Sequence, residues 1–329
     1  MKRWLAWFVI LGLMCGLLVP AVRAAEKPPV NVILIGWDGA QRDHVNECLE
    51  KGELPNLKRL AADGAMVNID VKGVTDTKAG WTEILTGCGP QVTGVYSNGR
   101  FQPIPEGLTV FERLRAHFGK DEIATVAVIA KKNNVGEIDP PKKVRLDAKE
   151  AEGKAAQGKI IEEDGVKYRL AGGSPYYYTH KNVDVWEFGL IQDEKVGTKA
   201  LEMLDKYKDK PFIFFVHFAE VDQKGHAAGE NSKAYNGALI SNDNWTGKIM
   251  DKVKELGLAD KTLIYVTADH GFDEGKRSHD NAPFVFLATN DKQVGKAGTR
   301  ADITPTILER YGLDLGKLTP PLDGKPLTK

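Results

Sequence analysis

The chain has 329 residues, of which 42% are hydrophobic and 27% are charged, a composition typical of a globular protein. Its 45 acidic residues balance 45 basic residues, so no basic surplus favours a nucleic-acid duplex or an anionic membrane as the main partner. This length suits one large α/β domain or two domains of average size.

The first 24 residues have the pattern of a secretory signal peptide. Lys2 and Arg3 precede the apolar run Trp4–Val19, and small residues lead up to Ala24. We therefore expect cleavage near Ala24, a single mature domain over residues 25–329, a periplasmic or secreted location and no stable membrane partner. The alternative is an uncleaved membrane anchor, but the run contains glycines and falls short of the roughly 20 residues that a span needs.

Two cysteines, Cys48 and Cys88, remain after the predicted leader. In an exported protein they could form a disulfide bond, but two cysteines do not make a disulfide framework. A bridge and a pair of buried thiols both remain open.

Short apolar runs alternate with longer helical patterns along the chain. The predicted strands are Val30–Ile35, Met66–Val71, Ala124–Ala130, Phe212–Phe218, Thr262–Thr267 and Pro283–Ala288. The predicted helices are Pro55–Asp63, Lys78–Leu85, Leu108–His117, Lys195–Lys206, Ala234–Leu256 and Ile303–Tyr311. This alternation predicts a mostly parallel sheet with helices on both sides. A polar insertion at about residues 137–185 interrupts it and is expected to form a small lid, or cap.

Acidic and histidine side chains follow several predicted strands, where open parallel sheets place their ligands. They are Asp38, Asp222, His226, Asp269, His270 and His279. Each alone has a simpler explanation as a turn or capping residue. Together at one sheet edge they would repel one another without cations. Carboxylate and imidazole ligands favour zinc, with manganese or another divalent ion as the alternative. Six ligands divide into two sites of three, and a pair of divalent ions can support in-line displacement at phosphorus or sulfur.

The nucleophile for such a centre is expected in the segment 73–87, which contains four threonines. Thr77 lies where a helix should begin, so its hydroxyl could cap that helix. It could equally attack a bound anion, because helix-start amides favour negative charge and metal coordination activates a hydroxyl. Thr75 could cap the helix as well, and spacing alone does not separate the two threonines.

These residues in this order resemble the alkaline phosphatase superfamily, nearest its type I phosphodiesterase/nucleotide pyrophosphatase branch. The resemblance rests on Asp38 after the first strand, on Asp222 with His226, and on the run Asp269-His-Gly followed by His279. It implies a three-layer αβα sandwich with a central mostly parallel sheet and a small cap insertion. It also implies a metal-dependent hydrolase that acts on phosphoric esters.

The resemblance also implies a role for each site residue. One metal would be held by Asp222, His226 and His279, and the other by Asp38, Asp269, His270 and Thr77. Thr77 lies nine residues before the pair Thr86-Gly87, the position of the nucleophile in that branch. Asn98 lies 21 residues after Thr77, where a phosphoryl-binding asparagine is expected, and the Lys78 amide would assist it.

The chain also departs from the branch. Lys78-Ala-Gly-Trp follows Thr77 where nucleotide pyrophosphatases carry Phe-Pro-Asn, so a nucleotide-base pocket is not implied. The segment 128–136 resembles a sulfatase stretch in which a lysine contacts the sulfate. Lys132 lies at the position of that lysine. It could contact the substrate, or it could be a solvated charge at the end of a strand. Threonine cannot be converted to the formylglycine of sulfatases, which argues against ordinary sulfatase action.

The sequence therefore predicts an exported hydrolase with two divalent ions and a small-molecule phosphoester or phosphonate as substrate, most simply a diester. Phosphonate hydrolysis is one alternative. Phosphomonoester hydrolysis is another, with Lys132 or Lys276 as the extra cation that a monoester needs. Two further alternatives for the same residues are a sulfatase-like protein and a metal-binding protein without turnover.

Overall fold

The computed structural model describes residues 30–147 and 160–329, and the predicted signal peptide lies outside these ranges. The strands in the described residues are β1 (Asn31–Trp37), β2 (Ala65–Asp70), β3 (Ala124–Ile129), β4 (Lys142–Arg145), β5 (Ile160–Glu163), β6 (Val166–Ala171), β7 (Val185–Phe188), β8 (Phe212–Phe218), β9 (Thr262–Thr267), β10 (Phe284–Thr289) and β11 (Gly298–Thr299). The α-helices are α1 (Arg42–Glu50), α2 (Pro55–Asp63), α3 (Thr77–Thr86), α4 (Pro90–Thr93), α5 (Val110–Phe118), α6 (Asp193–Tyr207), α7 (Glu220–Ala228), α8 (Lys233–Glu255) and α9 (Ile303–Arg310).

Eight strands form one sheet in the order β11-β2-β10-β9-β1-β8-β3-β7. The strands β9, β1, β8, β3 and β7 run parallel to one another, and β11 runs parallel to β2. Among the described strands of this sheet, only β10 is antiparallel to both of its neighbours, β9 and β2. The predicted mostly parallel sheet is therefore confirmed, with β10 as the exception.

The centre of the sheet is buried on both faces. Every residue of β1, β3 and β8 is buried, which explains why these strands are almost continuously apolar in sequence. The helices form two packed groups: α1, α2, α6, α7 and α8 connect with one another, and α3, α4, α5 and α9 form the second group. This arrangement of two helical groups and one sheet is the predicted three-layer fold.

The polar stretch near residues 137–185 contains a separate antiparallel sheet in the order β4-β6-β5. The stretch rejoins the large sheet through β7, which pairs with β3. In the part of the chain that the structure describes, Cys48 and Cys88 are both buried free thiols, so the structure has the pair of thiols and not the disulfide bond. Across residues 30–147 and 160–329, no helix combines the length and apolar character that crossing a membrane requires.

Candidate active site

Four neighbouring parallel strands, β9, β1, β8 and β3, bring the candidate site together at their carboxyl ends. Gly36 of β1 is opposite Thr267 of β9, and this register places Asp38 level with Asp269. On the other side β1 is paired with β8, which leads directly into α7 and Asp222. The sheet edge predicted from sequence is the edge at which the acidic side chains meet.

The structure gathers the six predicted metal ligands into two groups. Within each group, one potential ligand atom per residue lies within 4.8 Å of the others. The first group is Asp222, His226 and His279, and the second is Asp38, Asp269 and His270. Apart from Thr77, these are the two ligand sets that the family resemblance implies.

Asp222 and His226 lie on a helix, where the sequence analysis expected only a strand-end segment. Helix α7 begins at Glu220, and the spacing of four residues puts both side chains on one face of it. His226 Nδ1 lies 2.9 Å from the Arg277 carbonyl oxygen. Since a carbonyl can only accept, the proton is on Nδ1, and Nε2, which lies 3.4 Å from Asp222 Oδ1, is left as a ligand atom.

Unpartnered buried atoms show that these groups suit cations. Among the described residues, Asp222 Oδ1, Asp269 Oδ2 and His279 Nδ1 are buried polar atoms without a hydrogen-bond partner. Buried polar atoms are rarely left unpaired in folded proteins. A divalent ion in each group would satisfy these atoms with the ligands it prefers.

The pKa values of Asp269, His270 and His279 also suit a metal site. Burial and the nearby Asp38 carboxylate raise the pKa of Asp269 well above its usual range. Burial lowers the pKa of His270, and burial together with His270 lowers the pKa of His279 to about 4. Both imidazoles are therefore neutral near pH 7, which is the form that binds a metal.

Lys131, just after β3, places an ammonium group between the two groups of candidate ligands. Its Nζ lies 2.7 Å from Asp38 Oδ1, 2.8 Å from Asp222 Oδ2 and 3.3 Å from Thr77 Oγ1. Burial alone would lower the pKa of Lys131, but the carboxylates led by Asp38 outweigh burial and raise it above its ordinary value. The side chain is thus a fixed cation that touches both ligand groups and the threonine.

The sequence resemblance points to Lys132 at this place in the chain and not to Lys131. The structure places Lys132 on the exposed wall of the same cavity, beside Asn133 and Asn134. The two lysines are adjacent at a strand end, where a resemblance in sequence does not decide which side chain points inward.

Thr77 is the first residue of α3, and its hydroxyl does not cap that helix. The N-cap residue is Asp76, and no side chain makes the capping hydrogen bond. Thr77 Oγ1 instead lies 3.4 Å from His270 Nε2, and the residue is buried. By contrast, the Thr86 hydroxyl donates to the Thr82 carbonyl. The structure thus points the Thr77 hydroxyl at the ligand groups.

Asn98 lies beside Thr77 in a cavity of about 550 Å³ that also contains Lys131, Asp222, His226 and His279. The Lys78 amide donates to Asn98 Oδ1 at 3.0 Å. The resemblance implies that the Lys78 amide and Asn98 both donate to the substrate. In the structure the Lys78 amide instead donates to Asn98 and orients its side chain. The NH₂ group is the donor end of the Asn98 side chain.

His217 is a site residue that sequence reasoning missed. It is fully buried on β8, and its Nε2 lies 2.8 Å from Asp38 Oδ2, the oxygen that also accepts from Trp81 Nε1 at 3.1 Å. Its signal in the sequence was a single histidine within the apolar strand Phe212–Phe218.

A mostly parallel sheet with an acid–imidazole centre at its strand ends is the architecture that the resemblance to the alkaline phosphatase superfamily implies. Within that superfamily, the chain belongs to the type I phosphodiesterase/nucleotide pyrophosphatase family, whose sequence model matches residues 32–307. The family recognised from the sequence is therefore confirmed.

Solved structures support the same fold. An alkaline phosphatase superfamily protein from Vibrio parahaemolyticus has 17% sequence identity and a TM-score of 0.58, with 93% of this chain and 71% of that chain covered. A phosphonate monoester hydrolase from Agrobacterium radiobacter has 16% identity and a TM-score of 0.58, with 91% and 76% covered.

A curated relative shares sequence with part of the chain. The 2,3-bisphosphoglycerate-independent phosphoglycerate mutase of Malacoplasma penetrans is 28% identical over 163 residues. The match covers 46% of this chain and 30% of the mutase, so this chain spans less than a third of that relative's length.

Proposed function

We propose that this protein is an exported hydrolase that cleaves small-molecule phosphodiesters through a covalent intermediate at Thr77. Two divalent ions would be bound, and zinc is the ion that we propose. Asp222, His226 and His279 would hold one ion, and Asp38, Asp269 and His270 would hold the other. The observation that carries the proposal is the position of the Thr77 hydroxyl, which is buried against His270 and Lys131 and is not used as a helix cap.

The reaction follows from the position of Thr77. Its Oγ1 would attack phosphorus as the bond from phosphorus to the leaving oxygen breaks, and the departing alkoxide takes up a proton. Water then hydrolyses the threonyl phosphodiester, which releases a phosphomonoester and restores the hydroxyl. When bound, divalent ions supply Lewis-acid stabilisation and lower the pKa of an attacking hydroxyl.

The chain's own groups prepare this attack. Asn98, oriented by the Lys78 amide, offers its NH₂ group to an equatorial phosphoryl oxygen. The amides at the start of α3 favour an anion beside Thr77. The Lys131 ammonium adds a positive charge 3.3 Å from the attacking oxygen, and because its pKa is raised it serves as an electrostatic group rather than as a base.

Lys131 also favours a second candidate, phosphomonoester hydrolysis. A monoester carries one more negative charge than a diester, and an additional fixed cation beside the nucleophile would compensate for it. The two candidates share every residue named above and differ in the preferred substrate.

The test compares bis(p-nitrophenyl) phosphate with p-nitrophenyl phosphate. We expect the diester to be hydrolysed with the higher kcat/KM, EDTA to abolish hydrolysis and Zn²⁺ to restore it. Faster turnover of the monoester would replace the first candidate with the second.

Thr77→Ala tests the nucleophile. We expect turnover to fall by at least about 1,000-fold, because residual catalysis must proceed without covalent attack. Metal content should stay unchanged, because six other ligands remain. Thr75→Ala, two residues earlier, is the matched control and should keep its activity. Activity lost in the control and kept in Thr77→Ala would overturn the assignment.

A further inference from the structure

Ile191 combines two unusual properties at the cavity that contains Thr77. It lines that cavity, and its side chain is 56% exposed. Its backbone has a φ of +67°, a conformation that is a clear outlier for a β-branched residue. Among residues 30–147 and 160–329, the other non-glycine residues with positive φ are Asn134 and Asp164, types that tolerate this region.

The turn around Ile191 is a strained one. The Gln192 amide donates to the Leu190 carbonyl at 2.7 Å, so a two-residue hydrogen bond closes across Ile191. With a positive φ at its centre, this is the rarer, strained form of the γ-turn. A glycine would adopt the same backbone without the clash of a β-carbon.

Neighbouring elements hold this turn in place. The Ile191 amide donates to the Ala130 carbonyl at 2.9 Å, immediately before Lys131. The Asp193 amide donates to the Glu220 carboxylate at 3.0 Å, and Glu220 is the first residue of the helix that carries Asp222. Ile191 is therefore fixed relative to Lys131 and to one group of metal ligands.

The composition of the cavity indicates a function for the Ile191 side chain. Apart from Ile191 and Ala130, the residues that line the cavity are polar, among them Lys132, Asn133, Asn134 and Gln223. Ile191 is more than half exposed and its backbone is strained, so packing of this side chain does not explain why an isoleucine stands here. Strained backbone that persists beside a reactive group is a recognised sign of function.

We propose that Ile191 is a specificity-determining residue that contacts an apolar face of the substrate's alcohol portion. The inference rests on the proposed diesterase function and names its substrate class: phosphodiesters with an aryl or alkyl ester group, in preference to those whose alcohols are small and hydroxylated. The phosphoryl group would bind at Thr77 and Asn98, and the apolar ester group would lie against Ile191.

The test uses Ile191→Gly and two diesters, bis(p-nitrophenyl) phosphate and a diester of phosphate with two glycerols, the latter followed by ³¹P NMR. In Ile191→Gly we expect kcat/KM for the aryl diester to fall by about tenfold or more relative to the glycerol diester, as for loss of an apolar contact. The Tm should not fall, because glycine relieves the turn. Ile191→Val, which keeps a branched apolar side chain, should retain most of the selectivity.

Ile160→Gly is the matched control, since Ile160 is an exposed isoleucine in β5, away from the cavity. We expect the opposite pattern there: a lower Tm and an unchanged ratio between the two diesters. An unchanged ratio in Ile191→Gly, or a lower Tm in that variant, would overturn the inference. A wild-type protein that hydrolyses neither diester would instead reject the proposed function.

Discussion

Both oxygens of the Asp38 carboxylate are held by side chains from three different elements. Oδ2 contacts His217 of β8 and Trp81 of α3, and Oδ1 contacts Lys131 at the end of β3. Burial alone would raise the pKa of Asp38, but Lys131 and the His217 hydrogen bond outweigh burial and lower it to about 2. Asp38 is therefore ionised and oriented, as a metal ligand needs to be.

His217 should act on metal affinity through Asp38. In His217→Ala the carboxylate loses one of its fixed partners, so we expect affinity for Zn²⁺ to fall by about 10- to 100-fold, as for other residues that orient a ligand. The measurement is competition with a zinc chelator, which reports on binding without turnover.

His117→Ala provides the control, because His117 is an exposed histidine on α5. Its affinity for Zn²⁺ should match that of the wild type. Equal affinity in His217→Ala would show that the contact with Asp38 is dispensable for ligand orientation.

At the scale of elements, a buried ion pair joins α1 to the segment between α7 and α8. His44 Nδ1 lies 2.5 Å from Glu230 Oε1, and Glu230 Oε2 accepts from the Gly275 amide at 3.0 Å. The loop that contains Gly275 also carries His279. The pair thus ties the helix after Asp38 to the loop of the other ligand group.

This pair should make stability depend on pH. Burial alone would lower the pKa of His44, but its hydrogen bonds with Cys48 and Glu230 raise the pKa to about 10. Because the folded-state pKa is raised, the stabilisation is complete below the unfolded value of 6.5 and is lost as the pH rises through about 10.

We expect His44→Gln to lower the free energy of unfolding by about 3 kcal/mol at pH 6, since it leaves the Glu230 charge buried without its partner. The difference from wild type should shrink between pH 7 and pH 10. Urea unfolding in EDTA at several pH values measures this, with both proteins free of metal. A difference that stays constant across that range would contradict the account.

Close packing between β1 and α3 places Trp81 beside Asp38. A β-carbon added at Gly36 would lie 2.3 Å from Trp81 Cη2, so only glycine leaves room for the indole. Gly36→Ala should therefore destabilise the protein by about 1–3 kcal/mol through overpacking.

Gly237→Ala is the matched change, because Gly237 lies on the exposed side of α8 with no atom within 4 Å of an added β-carbon. It should be neutral or raise stability by about 0.5–1 kcal/mol, as alanine favours helix. Urea unfolding of both variants checks the pair. Equal stabilities would show that the Trp81 contact can relax freely.

For the whole molecule, the sequence predicted those features that follow from apolar periodicity. Phe212–Phe218, Thr262–Thr267 and Pro55–Asp63 have the predicted limits, because their apolar patterns are long and end at clear breaks. Most of the candidate metal ligands were selected from sequence because they follow a predicted strand, and His279 because a further histidine after Asp269-His-Gly resembles the alkaline phosphatase superfamily.

Other features depend on three-dimensional detail that the sequence does not carry. Helix α7 was not predicted, because Glu220–Ala228 has a weak apolar pattern and contains a glycine. The choice between Lys131 and Lys132 depends on side-chain direction after β3. The strain at Ile191 depends on backbone hydrogen bonds to Ala130 and across its own turn, which no residue pattern predicts.

The central claim is that two groups of three ligands each hold a divalent ion beside Thr77. It is tested most directly by the metal content of protein reconstituted with Zn²⁺, measured by elemental mass spectrometry in the wild type and in the double variant His226→Ala, His279→Ala. We expect two zinc ions per chain in the wild type and one in the variant, because the group of Asp38, Asp269 and His270 remains. One ion or none in the wild type, or two in the variant, would contradict it.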